Sequence, residues 1–379
     1  MPIHSFSFPT QIHFGANARS LIPDHLAQAG VGRPLIVTDR GLAALPLVAE
    51  LQSALAAAGL SPEVYSGVHG NPTASQATAG TAAFRAHRAD AIIGLGGGAA
   101  LDVAKAVALL TSHDGDILEY AWDHPKVRAV VHPLPYLVAV PTTSGTGSEV
   151  GRSAVISEES THIKRIIFSP RLLARAVFAD PELTLSLPAH LTAATGMDAL
   201  THNIESYLSP VYHPLCDGIA LEGARLAARS LVAAVRDGRN LRARSDLMMS
   251  SLLGGIAFQK DLGAVHSCAH ALSAVCDLHH GLANGLMLDH VMRFNAPSAP
   301  EKIAELARVC QEGAAPQSFP DWVASLKTTI GIPARLDAVG VTATHLPRLV
   351  DIALADPCHK TNPRPCTRAD LKSLFAAAL

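Results

Sequence analysis

A carboxylate and an imidazole stand four residues apart at Asp198 and His202, within the segment 196–207. On a helix, positions i and i+4 lie on one face, so both side chains would point the same way and suit one divalent ion. Glu205 and Ser206 are expected to fall on other faces of that helix. A catalytic metal site usually takes three protein ligands and leaves one position open. The rest of the chain must therefore supply further ligands.

Histidines with the same spacing occur further along the chain at His266 and His270, and His280 follows after a short apolar turn. They are candidates for the remaining ligands of the same ion. The alternative is that they are ordinary core histidines, because the chain contains 19 His and a lone buried His is usually just hydrogen-bonded. The spacing alone leaves both interpretations open.

A run of three glycines, residues 96–98, separates a strand-like segment from a helix-like one, and Gly94, Gly96 and Ala99 fit the G-x-G-x-x-G/A fingerprint. Glycine lets the backbone approach a pyrophosphate, and the free N–H groups of a helix N-terminus attract its charge. A tight turn without a ligand is the alternative.

In the Rossmann order, the acidic residue that binds the ribose lies about twenty residues beyond the glycines. In this chain the acidic strand end is Asp39, which lies upstream of them. A carboxylate there would bind a ribose 2′-OH and repel a 2′-phosphate, which favours NAD over NADP. An ordinary Asp at a strand end is the alternative. A second loop, residues 141–149, is rich in hydroxyls and glycines, suits phosphate or ribose contacts, and also follows a strand-like run.

Strand-like and helix-like runs alternate in the first half and predict a Rossmann-like α/β domain with a largely parallel sheet. The predicted strands are 35–39, 63–65, 91–95 and 136–140, and the predicted helices are 44–58, 75–87 and 99–110. Beyond residue 183 the segments are long and rich in Ala and Leu. We therefore predict an α/β dinucleotide-binding domain over 1–185, an all-helical metal-binding and substrate domain over 186–379, and an active site in the cleft between them.

Composition excludes several classes of protein. The chain has 379 residues, of which 49% are hydrophobic and 16% charged, with a formal net charge of −2 and no basic run, so nucleic acid is not an expected partner. No apolar run approaches the ~18 residues of a membrane span, and the N-terminus lacks a signal-peptide pattern. The six cysteines form no C-x-x-C pair, which indicates reduced thiols and a cytoplasmic protein.

Taken together, these motifs resemble the iron-containing (group III) alcohol dehydrogenase family over nearly the whole chain. The segments that carry the resemblance are 96–105, 141–149, 196–207, 265–281 and the tail 356–364. The resemblance implies that Asp198, His202, His266 and His280 hold one divalent metal, usually Fe²⁺ and sometimes Zn²⁺, with His270 beside the site. It also implies dinucleotide contacts from Asp39, Asn71, Gly97, Gly98, Asp102, Thr142, Thr143, Thr146, Val155 and Lys164.

Two positions depart from the family pattern. Ala99 replaces a common Ser, which removes a hydroxyl but no backbone donor. His279 stands where Pro is frequent, so either of two adjacent imidazoles is a candidate ligand; His280 is preferred because it keeps the family's spacing from His266. The resemblance assigns no natural substrate, and no role to His279, His359 or Lys360.

The implied activity is metal-assisted hydride transfer between NAD(H) and a small primary alcohol or aldehyde, by a homodimer or higher homo-oligomer. His270 is the candidate proton relay, since an unperturbed imidazole titrates near neutral pH; its alternative role is to support the metal ligands. One rival function is a metal- and NAD-dependent lyase of the dehydroquinate synthase kind, whose pattern uses one Glu and two His. The other is a non-catalytic metal- or nucleotide-binding protein.

Overall fold

The computed structural model describes residues 6–8, 10–313 and 317–379. The chain divides into two compact units. One comprises Phe8–Thr143 and Ser148–Thr184, and the other includes Ser144–Gly147 and Leu185–Leu379. The short segment Ser144–Gly147 thus groups with the second unit, although it lies inside the range 1–185. Among the described residues, no helix has both the length and the apolar character needed to cross a bilayer.

The first unit is built on a six-stranded parallel sheet with the order β1-β8-β5-β4-β2-β3. Its strands are β1 Gln11–Phe14, β2 Pro34–Asp39, β3 Glu63–Val68, β4 Ala91–Gly96, β5 Tyr136–Pro141 and β8 Ala176–Ala179, and an antiparallel hairpin adds β6 Ser153–Ser157 and β7 Lys164–Phe168. The helices are α1 Ile22–Gln28, α2 Arg40–Ala43, α3 Pro46–Ala57, α4 Ala74–His87 and α5 Gly98–Ser112. The predicted parallel α/β architecture is confirmed.

Buried apolar runs explain the central strands, because a parallel sheet covered on both faces needs side chains that are apolar on both sides. Every residue of β4 is buried, as are the first five residues of β2. The predicted helix over 44–58 is wrong at its start. Asp39 caps the short helix α2, and α3 begins at Pro46, since proline fits the first turn of a helix. The hairpin β6–β7 was not predicted.

Beyond Leu185 the described residues of the second unit form helices joined by loops, with no strand, as predicted. Its helices are α6 Ala189–Leu208, α7 Pro214–Arg236, α8 Leu241–Ala257, α9 Ala264–Cys276, α10 His280–Asn295, α11 Pro300–Cys310, α12 Phe319–Thr329, α13 Leu346–Ala355 and α14 Arg368–Ala378. Helix α6 is central, with every residue from 192 to 208 buried and with α7, α8 and α10 packed against it. Polar side chains on α6 therefore lie in a nearly dry core.

Two glycines of α7 test this close packing. A Cβ at Gly223 would collide with the amide of Asn203 on α6, whose Nδ2 donates to the Ala199 carbonyl at 2.8 Å, whereas a Cβ at Gly218 would meet nothing within 4 Å. We expect Gly223→Ala to destabilise the protein by about 1–3 kcal/mol through overpacking. Gly218→Ala should stabilise it by about 0.5–1 kcal/mol, because alanine loses less entropy in a helix. Urea midpoints measure both, and equal midpoints would contradict the predicted packing.

Candidate active site

The predicted pair on α6 shares one face of the helix. Asp198 is 2% exposed and His202 is 4% exposed, and the His202 Nε2 lies 3.9 Å from the Asp198 Oδ1. A buried carboxylate is costly unless cations or hydrogen-bond donors compensate it. The Asn284 amide supplies one such bond, donating from Nδ2 to the Asp198 Oδ1 at 2.7 Å.

Two further imidazoles converge on the same carboxylate. The Nε2 of His266, on α9, lies 3.8 Å from the Asp198 Oδ1, and that of His280, the first residue of α10, lies 3.5 Å from it. One ligand atom from each of the four residues falls within 4.8 Å of all the others. Helices α6, α9 and α10 thus bring together the four side chains that the sequence singled out.

Hydrogen bonds on the far side of two rings determine which nitrogen faces the cluster. The His202 Nδ1 bonds the Gly145 carbonyl at 3.2 Å, and the His266 Nδ1 bonds the Glu205 carboxylate at 2.6 Å. Both acceptors require a proton on Nδ1, so in the neutral ring the Nε2 presents a lone pair. Burial also lowers the pKa of His202 to about 4, against the opposing effect of Asp198. His202 is therefore neutral at pH 7, as a metal ligand must be.

The expectation that Glu205 falls on another face of α6 is wrong. Position 205 is seven residues beyond Asp198, and seven residues make almost two full helical turns, so both side chains lie on the same side of the helix. Glu205 is 2% exposed and contacts the candidate ligand His266. The i, i+7 spacing was the signal available in the sequence.

His270 lies beside the cluster rather than among its four ligand atoms. Its ring stacks on that of His280, with centroids 5.2 Å apart, and its Nδ1 donates to the Asp356 Oδ2 at 2.7 Å. Asp356 also accepts from the Ser267 hydroxyl at 2.7 Å. His270, Asp356 and Cys358 form a separate group of close polar atoms.

The donor set fits a divalent transition metal. One carboxylate oxygen and three imidazole nitrogens are ligands that both Fe²⁺ and Zn²⁺ accept. Calcium and magnesium prefer oxygen ligands and are disfavoured by this set. The structure therefore supports a metal-binding function for the cluster.

In the α/β unit, three candidate cofactor loops follow neighbouring strands. Strand β4 pairs with β2 on one side and with β5 on the other, so the loops after Asp39, Gly96 and Pro141 emerge at one edge of the sheet. Gly96 has φ of +149°, and a Cβ there would lie 2.7 Å from the Ala100 Cβ and 3.4 Å from the Asp39 Oδ2. A Cβ at Gly97 would lie 3.4 Å from Thr143. This backbone cradle fits a pyrophosphate at the N-terminus of α5.

Buried polar residues of α5 hold the neighbouring segments in place. The Asp102 carboxylate accepts from the Ser148 hydroxyl at 2.6 Å and from the Val155 N–H at 3.0 Å. Lys105 donates to the Ser148 carbonyl at 2.6 Å and to the Ser153 carbonyl at 2.7 Å. Asp102 therefore ties the end of the loop 141–149 and strand β6 to α5.

The other predicted cofactor residues lie at distinct places in the two units. Gly98 begins α5, Asn71 follows β3, Thr142 follows β5, Val155 is on β6 and Lys164 begins β7, whereas Thr146 belongs to the segment that groups with the helical unit. The Thr142 N–H donates to the Gly96 carbonyl at 3.0 Å, which fixes the loop after β5 against the glycine run. Their contacts with a dinucleotide stay predictions.

Comparison with known proteins identifies the family. The family model for iron-containing alcohol dehydrogenase matches residues 9–181. A second family model, for the C-terminal part of the Fe-containing alcohol dehydrogenase family, matches residues 192–379. The chain belongs to the iron-containing alcohol dehydrogenase family. It is an oxidoreductase that acts on alcohols, and none of the relatives described below supports the lyase alternative.

Individual relatives are similar over their full length. The chain is 37% identical over 381 residues to the 4-hydroxybutyrate dehydrogenase of Cupriavidus necator, with 98% of each protein covered. The crystal structure of a 1,3-propanediol oxidoreductase superposes with a TM-score of 0.95 at 36% identity, covering 100% of both chains. The sulfoacetaldehyde reductase from Bifidobacterium kashiwanohense, in complex with NAD⁺, has a TM-score of 0.89 at 28% identity, covering 100% of this chain and 99% of that one.

The two adjacent imidazoles provide a test of the metal ligands. Only His280 joins the four-residue group among the described residues, while His279 is an exposed N-cap residue of α10. His280→Ala should lower bound metal by roughly tenfold or more, since even supporting residues of a metal site cost ~10–100-fold in affinity. His279→Ala, the matched control, should leave metal content unchanged. Elemental analysis after anaerobic reconstitution with Fe²⁺ decides; the opposite result would make His279 the ligand.

Proposed function

We propose that this dehydrogenase transfers hydride between NAD(H) and small primary alcohols or aldehydes with the help of one divalent ion, Fe²⁺ or alternatively Zn²⁺. The observation that carries the proposal is the convergence of Asp198, His202, His266 and His280 within 4.8 Å. Family membership supports the reaction class, and the relative solved with NAD⁺ supports the cofactor.

Each part of the site has a separate task. The four ligands would hold the ion, which when bound polarises the alcohol or carbonyl oxygen while the nicotinamide accepts or supplies the hydride. The glycine cradle at Gly96 and Gly97 would bind the pyrophosphate through backbone N–H groups. The Nδ1 of His270 is held by Asp356. Its Nε2 would accept the alcohol proton and pass it toward solvent. The division of the chain at residue 185 into a dinucleotide-binding domain and a metal-binding domain belongs to the same proposal.

The names of two relatives suggest a substrate class. One acts on 4-hydroxybutyrate and another on 1,3-propanediol, and both molecules are short primary alcohols with a second polar group at the other end. We therefore propose that the natural substrate has this form.

We also propose a homodimer in the cytoplasm. The parallel sheet ends at β1, an edge strand whose Phe14 is 38% exposed, and exposed edge strands are prone to pair with a second chain. All six cysteines are free, which suits a reducing compartment. Light scattering of the purified protein tests the dimer.

The function is tested by incubating the metal-reconstituted protein with NADH and a panel of short aldehydes while absorbance at 340 nm is followed. The panel should include the aldehydes of 1,3-propanediol and 4-hydroxybutyrate, with an unsubstituted aldehyde of equal length as the control. Steady NADH oxidation supports the proposal. Cofactor binding without turnover of any compound would instead favour a non-catalytic nucleotide-binding protein.

Asp39 should determine the choice of cofactor. A carboxylate facing the 2′-phosphate of NADP meets like charge at a cost of roughly 1–4 kcal/mol, which predicts a preference for NADH of about tenfold or more. Asp39→Gly should raise kcat/KM for NADPH and lower it for NADH, which loses a bond to its ribose 2′-OH. The neighbouring Arg40 would then help to bind the phosphate.

The companion variant Asp39→Asn separates charge from structure. The Asp39 Oδ1 accepts from the Leu42 N–H at 2.8 Å, and an asparagine oxygen can keep that cap while removing the negative charge. NADPH efficiency should therefore rise in both variants. An unchanged ratio of NADH to NADPH efficiency would place the ribose at a different strand end.

A further inference from the structure

We propose that Glu205 is a positioning residue for the metal site: it fixes the ring orientation and the tautomer of His266, and thereby tightens metal binding. This inference rests on the proposed metal site. It concerns a residue outside the four ligands, at the far side of an imidazole from the ion.

Three donors of helix α9 converge on the Glu205 carboxylate. Its Oε1 accepts from the Val265 N–H at 2.7 Å, and its Oε2 accepts from the His266 N–H at 3.3 Å and from the His266 Nδ1 at 2.6 Å. The side chains of Glu205 and His266 are each 1% exposed, so water does not compete for these bonds. All three groups donate, so their partner must offer acceptors alone. An ionised carboxylate has only acceptors, whereas a neutral acid or an amide also carries a donor.

The chain leaves space for this carboxylate. A Cβ at Gly263, which precedes α9, would lie 2.6 Å from the Glu205 Oε1 and 3.0 Å from the Asn362 Oδ1. Asn362 accepts from the Ala264 N–H at 3.2 Å. The N–H groups of the first turn of α9, which have no partner within the helix, thus donate to Glu205 and Asn362. The negative charge of Glu205 lies at the N-terminus of the helix, where the helix dipole favours it.

The consequence for the ion lies in the choice of tautomer. With the proton on Nδ1 held by Glu205, the His266 Nε2 carries a lone pair and lies 3.8 Å from the Asp198 Oδ1. The other tautomer would point an N–H at the same place and exclude a cation. A carboxylate behind the ring also makes the imidazole a stronger donor, an effect worth ~10–100-fold in metal affinity at comparable sites.

Glu205→Gln tests the proposal with little change in volume. The glutamine has one acceptor and one NH₂ group, so either the α9 backbone loses a bond or the NH₂ group faces the His266 Nδ1 and favours the wrong tautomer. We expect Zn²⁺ affinity, measured by chelator competition, to fall ~10–100-fold. The matched control is Asp356→Asn, which removes a carboxylate bonded to the Nδ1 of His270, a residue outside the four ligands. Its Zn²⁺ affinity should change less than about threefold, well below the ~10–100-fold loss expected for Glu205→Gln.

A measurement on the unaltered enzyme keeps the test decisive if the variant folds poorly. Nitrogen-15 NMR of the histidine rings should show His266 protonated at Nδ1 and bare at Nε2. A proton on Nε2, or equal Zn²⁺ affinity for a folded Glu205→Gln variant and the unaltered enzyme, would overturn the proposal. Failure of the unaltered enzyme to bind Zn²⁺ would instead overturn the metal site itself, so the two failures are distinguishable.

Discussion

The helical unit is organised around a buried carboxylate, and a bound cation would offset the cost of burying it. Asp198 lies in a nearly dry core on a helix that other helices surround, and removing such a group from water costs several kcal/mol unless positive charge compensates it. The Asn284 amide supplies one hydrogen bond, but the nearby His202 is kept neutral by burial. A divalent ion held by the carboxylate and three imidazole nitrogens, as proposed, would resolve this conflict. The polar groups on α6 and the bonds behind the rings of His202 and His266 would then be parts of one arrangement.

The α/β unit meets a different constraint, which is that the backbone stays open at one edge of the sheet. Parallel pairing of β2, β4 and β5 places the carboxyl ends of these strands at one edge, and Gly96 keeps the space there that any Cβ would fill. Asp102 and Lys105, one helical turn apart on α5, use buried hydrogen bonds to hold the adjoining loop. These two side chains therefore fix the loop against α5.

The sequence predicted the parts of the fold that have a strong local pattern. The buried runs of β2, β4 and β5 and the i, i+4 pairs on α6 and α9 were all recognisable, and family resemblance selected His280. The sequence did not predict the hairpin β6–β7 or the start of α3, where a cap and a proline override the apolar pattern. It also missed the contact of Glu205 with His266, because the two residues are 61 positions apart in the chain and meet only in the folded helical unit.

The most direct test of the account is anomalous diffraction from crystals of the enzyme loaded anaerobically with Fe²⁺. We predict one strong peak at the iron edge per chain, within bonding distance of the Asp198 carboxylate and of the Nε2 atoms of His202, His266 and His280. A peak at His270, Asp356 and Cys358 instead, or no peak in a catalytically active crystal, would contradict the assignment of the metal centre.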